Sequence, residues 1–265
     1  MKTLKTVSLF IAILFVVSAC KKEEEKGTGS IEIEFVHQVD GNALQTDQMI
    51  YVNEAGNTYE VNEVQWFVTR LAFYKDGKLV EIPDTNTNAH YIDTDIASTF
   101  NWLVCDAFPE GNYDSLLFTF GFNEADNVSN RFPNPPESNM FWPEVMGGGY
   151  HYMKLNGKWL DPEQTVRSFN FHLGIGQIYE EENPIPIDLI HNYFRVTLPL
   201  SSLKVEKDKT TKLQLVMNIE DWFKEPNLWD FNAYGSHIMK NQEAMHAACE
   251  NGHKVFSIGQ VQIKP

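Results

Sequence analysis

Residues 31–39 read Ile-Glu-Ile-Glu-Phe-Val-His-Gln-Val, with Ile31, Ile33, Phe35, His37 and Val39 on one face and Glu32, Glu34, Val36 and Gln38 on the other. A repeat of two places one apolar row against a core only if the segment is a strand, so His37 is expected to point inward. The same alternation returns at Leu116 to Phe122, Ser168 to Leu173, Phe194 to Leu200 and Leu213 to Ile219. Asp76-Gly77 lies between the β-rich runs Trp66 to Tyr74 and Leu79 to Ile82, and Asn156-Gly157 lies between Tyr150 to Leu155 and Lys158 to Leu160. Both dipeptides supply the positive φ that tight hairpin turns need. The expected fold is all-β, an antiparallel β-sandwich.

Two segments interrupt the rhythm. From Asn123 to Gly149 the chain carries Pro133, Pro135, Pro136, Pro143 and three consecutive glycines. A loop of that length in a compact domain either carries function or lacks order, and Phe132, Met140, Phe141 and Trp142 argue for order. From Ser236 to Cys249, Ile238, Met245 and Cys249 recur at helical spacing, with Ser236 as an N-cap and Asn251-Gly252 as a stop. One short C-terminal helix is expected there.

The N-terminus reads as an export signal. Lys2 and Lys5 precede the apolar run Val7 to Val17, and Ser18-Ala19-Cys20 follows as a small-residue cleavage site. The run is shorter than the ~20 residues of a spanning helix. Residues 1–19 are therefore expected to be removed and Cys20 to carry a lipid. Residues 20–30, with Lys21, Lys22, Glu23, Glu24, Glu25 and Lys26 before Gly27-Thr28-Gly29-Ser30, are too polar to collapse and read as a tether. Residues 31–265 form one expected domain. The acidic run is either a solvated spacer or, as its similarity to the surface-export signal of Bacteroidetes lipoproteins implies, an address on the outer membrane. The expected location is the cell envelope, as an outer-membrane lipoprotein on either the surface-exposed or the periplasmic face, with membrane contact through the lipid anchor alone.

The chain holds 21 basic and 36 acidic residues, a net charge of −15, and loss of Lys2 and Lys5 makes it more acidic still. That balance argues against nucleic acid and anionic lipid as partners. Once Cys20 is lipidated, Cys105 and Cys249 remain, and whether they pair in an oxidising compartment is open from sequence.

No phosphate-cradling glycine loop, nucleophile elbow, zinc-protease helix motif or four-cysteine framework occurs, so an enzyme is not expected. Instead the chain is rich in imidazole and thioether: seven of its eight histidines follow residue 89, and methionines stand at 140, 146, 153, 217, 239 and 245. That donor set suits copper better than calcium or magnesium. His37, on an apolar face, is either a hydrogen-bonded core histidine or a ligand. His172 lies opposite Phe169 and Phe171, facing a cleft or solvent. His151 follows the glycine run and Tyr150, while His237 and His246 flank the helical segment; each alone is more often a surface histidine than a ligand.

Taken in order, His37-Gln38-Val39-Asp40-Gly41 at a strand end, Met140-Phe141-Trp142-Pro143 leading through Gly147-Gly148-Gly149-Tyr150, and Phe171-His172-Leu173-Gly174 resemble the MbnP-like copper-binding family, in its Bacteroidetes-type lipoprotein branch. The resemblance covers roughly residues 31–265. It implies a β-sandwich envelope protein that binds copper through histidines, in some members with a kynurenine made by oxidising a tryptophan, and a MauG-like dihaem enzyme as the partner for that oxidation. By motif position it implies His37 and His172 as ligands and Trp142 as the tryptophan to be oxidised, with His151, His237 and Met239 as possible additional ligands. Opening an indole exposes an aryl amine and a carbonyl, donors that tryptophan lacks. Ile175-Gly176-Gln177-Ile178 stands where methanotroph-type members carry a cysteine, so the disulfide of those members is not implied here. The segment His237-Ile238-Met239 with Asn241 and Met245 is similar to one in the Bacteroidetes-type relatives.

A second reading from a different class is a carbohydrate- or protein-binding lipoprotein that uses Trp102, Phe141, Trp142, Trp222 and Trp229 as aromatic platforms. Calcium binding would need an Asp-x-Asp-x-Asp-Gly loop, which the chain lacks.

Overall fold

The computed structural model describes residues 27–82, 89–180 and 185–265. The expected cleavage site, the expected lipidation position Cys20 and most of the expected tether lie outside them. Strand β1 (Thr28–Val39) is followed by the short β2 (Asn42–Ala43) and β3 (Tyr51–Val52), then by the longest strand, β4 (Thr58–Lys75), and β5 (Lys78–Glu81). Next come β6 (Ala89–Asp93), β7 (Asn101–Pro109) and β8 (Gly111–Phe120). After the long loop the chain forms β9 (Met153–Leu160), β10 (Val166–Leu173), β11 (Ile175–Ile178), β12 (Asp188–His191), β13 (Phe194–Val205) and β14 (Thr210–Asn218). Two helices, α1 (Phe231–Tyr234) and α2 (Gln242–Gly252), precede β15 (Phe256–Lys264).

The strands make the expected sandwich. One sheet runs β15-β14-β1-β2 with β7 also on β1; the other runs β10-β9-β4-β8-β13 with β3, β5 and β6 on β4; β11 and β12 form a separate pair. Pairing is antiparallel except between β1 and β14. Ile31, Ile33 and Phe35 of β1 are buried, as are Val64, Trp66, Leu155, Phe171 and Leu173 of the second sheet. Each such side chain contributes roughly 1.5–3 kcal/mol by leaving water.

Register fixes which residues share a face. Trp66 pairs with Met153 and Met153 with Leu173, and all three are fully buried. One residue along, Gln65 pairs with Lys154 and Lys154 with His172, so this second row lies on the outer face of the same sheet. Glu63, Asn156 and Asn170 form a third row on that outer face.

Asp76-Gly77 makes the expected turn, with φ of 52° and 69° and Lys75 paired to Lys78. Asn156-Gly157 does not: both residues lie inside β9. A Cβ on Gly157 would come 2.2 Å from the Glu60 carbonyl oxygen and 2.4 Å from the Phe169 ring, so the glycine serves close approach between strands. The C-terminal helix begins later than expected. Asn241, not Ser236, caps α2 by accepting from the Ala244 amide at 3.0 Å, and the Ser236 carbonyl accepts from the Asn170 amide of β10 at 2.8 Å. Cys105 and Cys249 are free thiols.

Candidate metal centre

The long loop lies against the outer face of the second sheet. Two short 3-10 turns, Glu137–Met140 and Glu144–Met146, lead into Gly147, Gly148 and Gly149, with φ of 112°, 69° and 77°. Three successive residues in this region strongly disfavour side chains, which is why glycine occupies the run. The turn folds the loop on itself: the Trp142 amide donates to the Gly149 carbonyl at 2.8 Å and the His151 amide to the Met140 carbonyl at 2.6 Å. Trp142 and His151 are thereby placed on facing arms, with ring centroids 4.6 Å apart.

Trp142 is fully buried, and its indole N–H donates to the Met146 carbonyl at 3.0 Å. Its six-membered ring lies on Gly174, where a Cβ would stand 2.6 Å from Cε3. Phe-His-Leu-Gly thus has a physical reading. Phe171 and Leu173 enter the core, His172 emerges on the outer face, and Gly174 is bare so that the indole can lie against the backbone.

His172 and His151 meet above this sheet, with ring centroids 5.2 Å apart and planes at 86°. His151 is buried and its Nδ1 lies 3.0 Å from the Met140 carbonyl oxygen. A carbonyl only accepts, so Nδ1 carries the proton and the lone pair is on Nε2. His172 Nε2 stands 2.7 Å from the Asn156 side-chain oxygen, which leaves the lone pair on Nδ1, and that atom is buried without a hydrogen-bond partner. Burial is the main cause holding both rings neutral. It lowers His151 to about 4 and His172 to about 3, with the positive field of Lys154 acting on each. Two neutral imidazoles, each anchored through one N–H to an oxygen, have the outer-shell arrangement of metal-ligating histidines. An orphaned buried lone pair costs free energy unless something binds it. The residues present fit a soft or borderline metal ion.

The other expected ligands fall elsewhere. His37 is a correction: it lies between the sheets, where Trp66 Nε1–H donates to its Nε2 at 3.0 Å. Trp66 is on the inner face of the second sheet and His172 on the outer, so the sheet itself stands between the two histidines. His37 and His172 cannot share a metal in this fold. Exposed His237 approaches the rim: it bridges to Asn170, whose Nδ2 donates to its Nδ1 at 3.0 Å. Met239 packs against the main core. Sequence reading missed Asn156, Lys154 and Glu63, and the turn-like Asn156-Gly157 dipeptide concealed the first.

The aromatic-platform reading loses its residues: Trp142, Trp222 and Trp229 are buried, leaving Phe141 exposed and Trp102 half-buried. Among the described residues one acidic trio, Glu63, Asp93 and Asp95, brings carboxylate oxygens within 4.8 Å of one another. Asp93 is already committed there to Tyr91 OH, Gln65 and the Asp95 amide. No described helix is long and apolar enough to cross a membrane.

Comparison with known proteins bears on the same region. A family model described as MbnP matches residues 28–244. The solved structure of MbnP from Methylosinus trichosporium superposes with a TM-score of 0.51 at 17% identity, covering 88% of this chain and 98% of that one. At that identity the likeness concerns the fold. No curated protein matches the chain.

Proposed function

Because the chain belongs to the MbnP family, we propose that it is a non-enzymatic copper-binding protein whose centre is formed by His151 and His172 beside Trp142. The observation that carries this reading is the buried, partnerless Nδ1 of His172, 5.2 Å ring to ring from a second neutral histidine. Copper is the cargo here, and imidazole nitrogens are suitable donors for it. His151 Nε2 and His172 Nδ1 would hold it, Met140 and Asn156 orient the rings through their oxygens, and the loop excludes water.

Trp142 supports a third donor. Its indole lies 4.6 Å from His151, and oxidative opening would place an aryl amine and a ketone beside that ring. The oxidant belongs to a partner of the MauG-like dihaem class. The export signal ending at Cys20 supports an envelope lipoprotein, which would meet copper outside the cytoplasm.

Metal analysis of protein purified without chelators tests the reading. His151→Ala and His172→Ala should each lose copper, and His37→Ala should retain it. Full occupancy in both of the first two variants overturns the site.

A further inference from the structure

The copper reading needs one particular nitrogen of His172 to be free, and the reason it is free lies on two neighbouring strands. Asn156 presents Oδ1 to His172 Nε2 at 2.7 Å and donates from Nδ2 to Glu63 Oε2 at 3.1 Å. Both Glu63 oxygens accept, Oε1 from Gln65 and Oε2 from Asn156, so Asn156 turns its amide nitrogen toward Glu63 and its oxygen toward His172. That oxygen also only accepts, so His172 must carry its proton on Nε2. The tautomer therefore follows from Glu63 through a chain of donors and acceptors with one consistent direction.

Glu63 is held in turn. Gln65 Nε2 donates to Glu63 Oε1 at 2.8 Å and to Asp93 Oδ2 at 3.1 Å. Register explains why the groups meet: Glu63 pairs with Asn156, Gln65 with Lys154, and Lys154 with His172, all on the outer face of three adjacent strands.

Resting on the copper-centre reading, we infer that Glu63 is a positioning residue for the centre, acting through the Asn156 amide to hold His172 in the form whose Nδ1 can bind metal. Glu63 itself touches neither copper nor the imidazole. Its replacement by glutamine supplies an amide that can donate to Asn156, which releases Asn156 to flip and to offer its NH2 to His172 Nε2. The ring would then carry its proton on Nδ1 and lose its ligand atom.

The test reads the tautomer directly, by nitrogen-15 NMR of the His172 ring in the metal-free protein, with copper affinity measured alongside. Wild type should show the Nε2–H form. Glu63→Gln should shift His172 toward the Nδ1–H form and weaken copper binding ~10–100-fold, the usual size of an outer-shell effect. Combining Glu63→Gln with Asn156→Asp moves the carboxylate to position 156, where it accepts from both neighbours, and should restore tautomer and affinity. An unchanged tautomer in Glu63→Gln overturns the inference, as does an affinity loss in both variants with no tautomer shift. A tautomer shift in Glu63→Gln together with a wild-type protein that takes up no copper would instead overturn the copper reading and leave the role of Glu63 standing.

Discussion

The rings of His151 and His172 stand at 86° to each other with centroids 5.2 Å apart, one fixed by the Met140 carbonyl and the other by the Asn156 amide. The two histidines come from unlike places. His172 belongs to a regular strand, whereas His151 ends a loop that three left-handed glycines fold back over the sheet. Their meeting is what makes the outer face of the sheet a candidate centre.

Gly174 is the floor of that centre. In Gly174→Ala the new methyl would stand 2.6 Å from Trp142 Cε3, so the indole or the strand must move. Overpacking of this kind costs about 1–3 kcal/mol. Urea unfolding should show that loss, and copper uptake should fall with it because Trp142 packs against His151.

Two buried groups give stability opposite pH slopes. Burial lowers His37 from 6.5 to about 4. Between those values the unfolded chain takes up a proton that the fold refuses, so stability present above pH 6.5 is lost as pH falls toward 4. Glu220, 1% exposed, is raised from 4.5 to about 7, chiefly by burial. Here the unfolded chain releases its proton first, so stability present below pH 4.5 is lost as pH rises through 7. Glu220→Gln should therefore gain on wild type by roughly 1–3 kcal/mol between pH 5 and pH 8, read by urea unfolding at each pH. His37→Asn should flatten the acid side of the profile.

A fully buried indole is a poor target for indiscriminate oxidation, so modification confined to Trp142 would report a directed process. Intact mass of protein from its native host should carry the change of an opened indole, and the change should vanish in Trp142→Phe or in a host without the dihaem enzyme. An unmodified mass from the native host contradicts the third-donor assignment.

Alternation made the sandwich legible and correctly turned His37 inward and His172 outward. Carried one step further, it already separates them: an inward residue of one sheet and an outward residue of the other have a layer of backbone between them. Motif order alone hid this. His151 was named beside His237 and Met239 as a possible additional ligand, but that it alone meets His172 was not legible, because its position depends on how the long loop folds, and no periodicity reports that. The two turn-like dipeptides show the same limit. Asp76-Gly77 follows its local preference, while Gly157 is recruited into β9 by the close approach of Glu60 and Phe169.

The most direct measurement is anomalous diffraction at the copper edge from copper-loaded crystals. The account predicts a single strong peak on the outer face of the sheet, about 2 Å from both His151 Nε2 and His172 Nδ1. A peak at His37 between the sheets, or none near the His151–His172 pair, would contradict it.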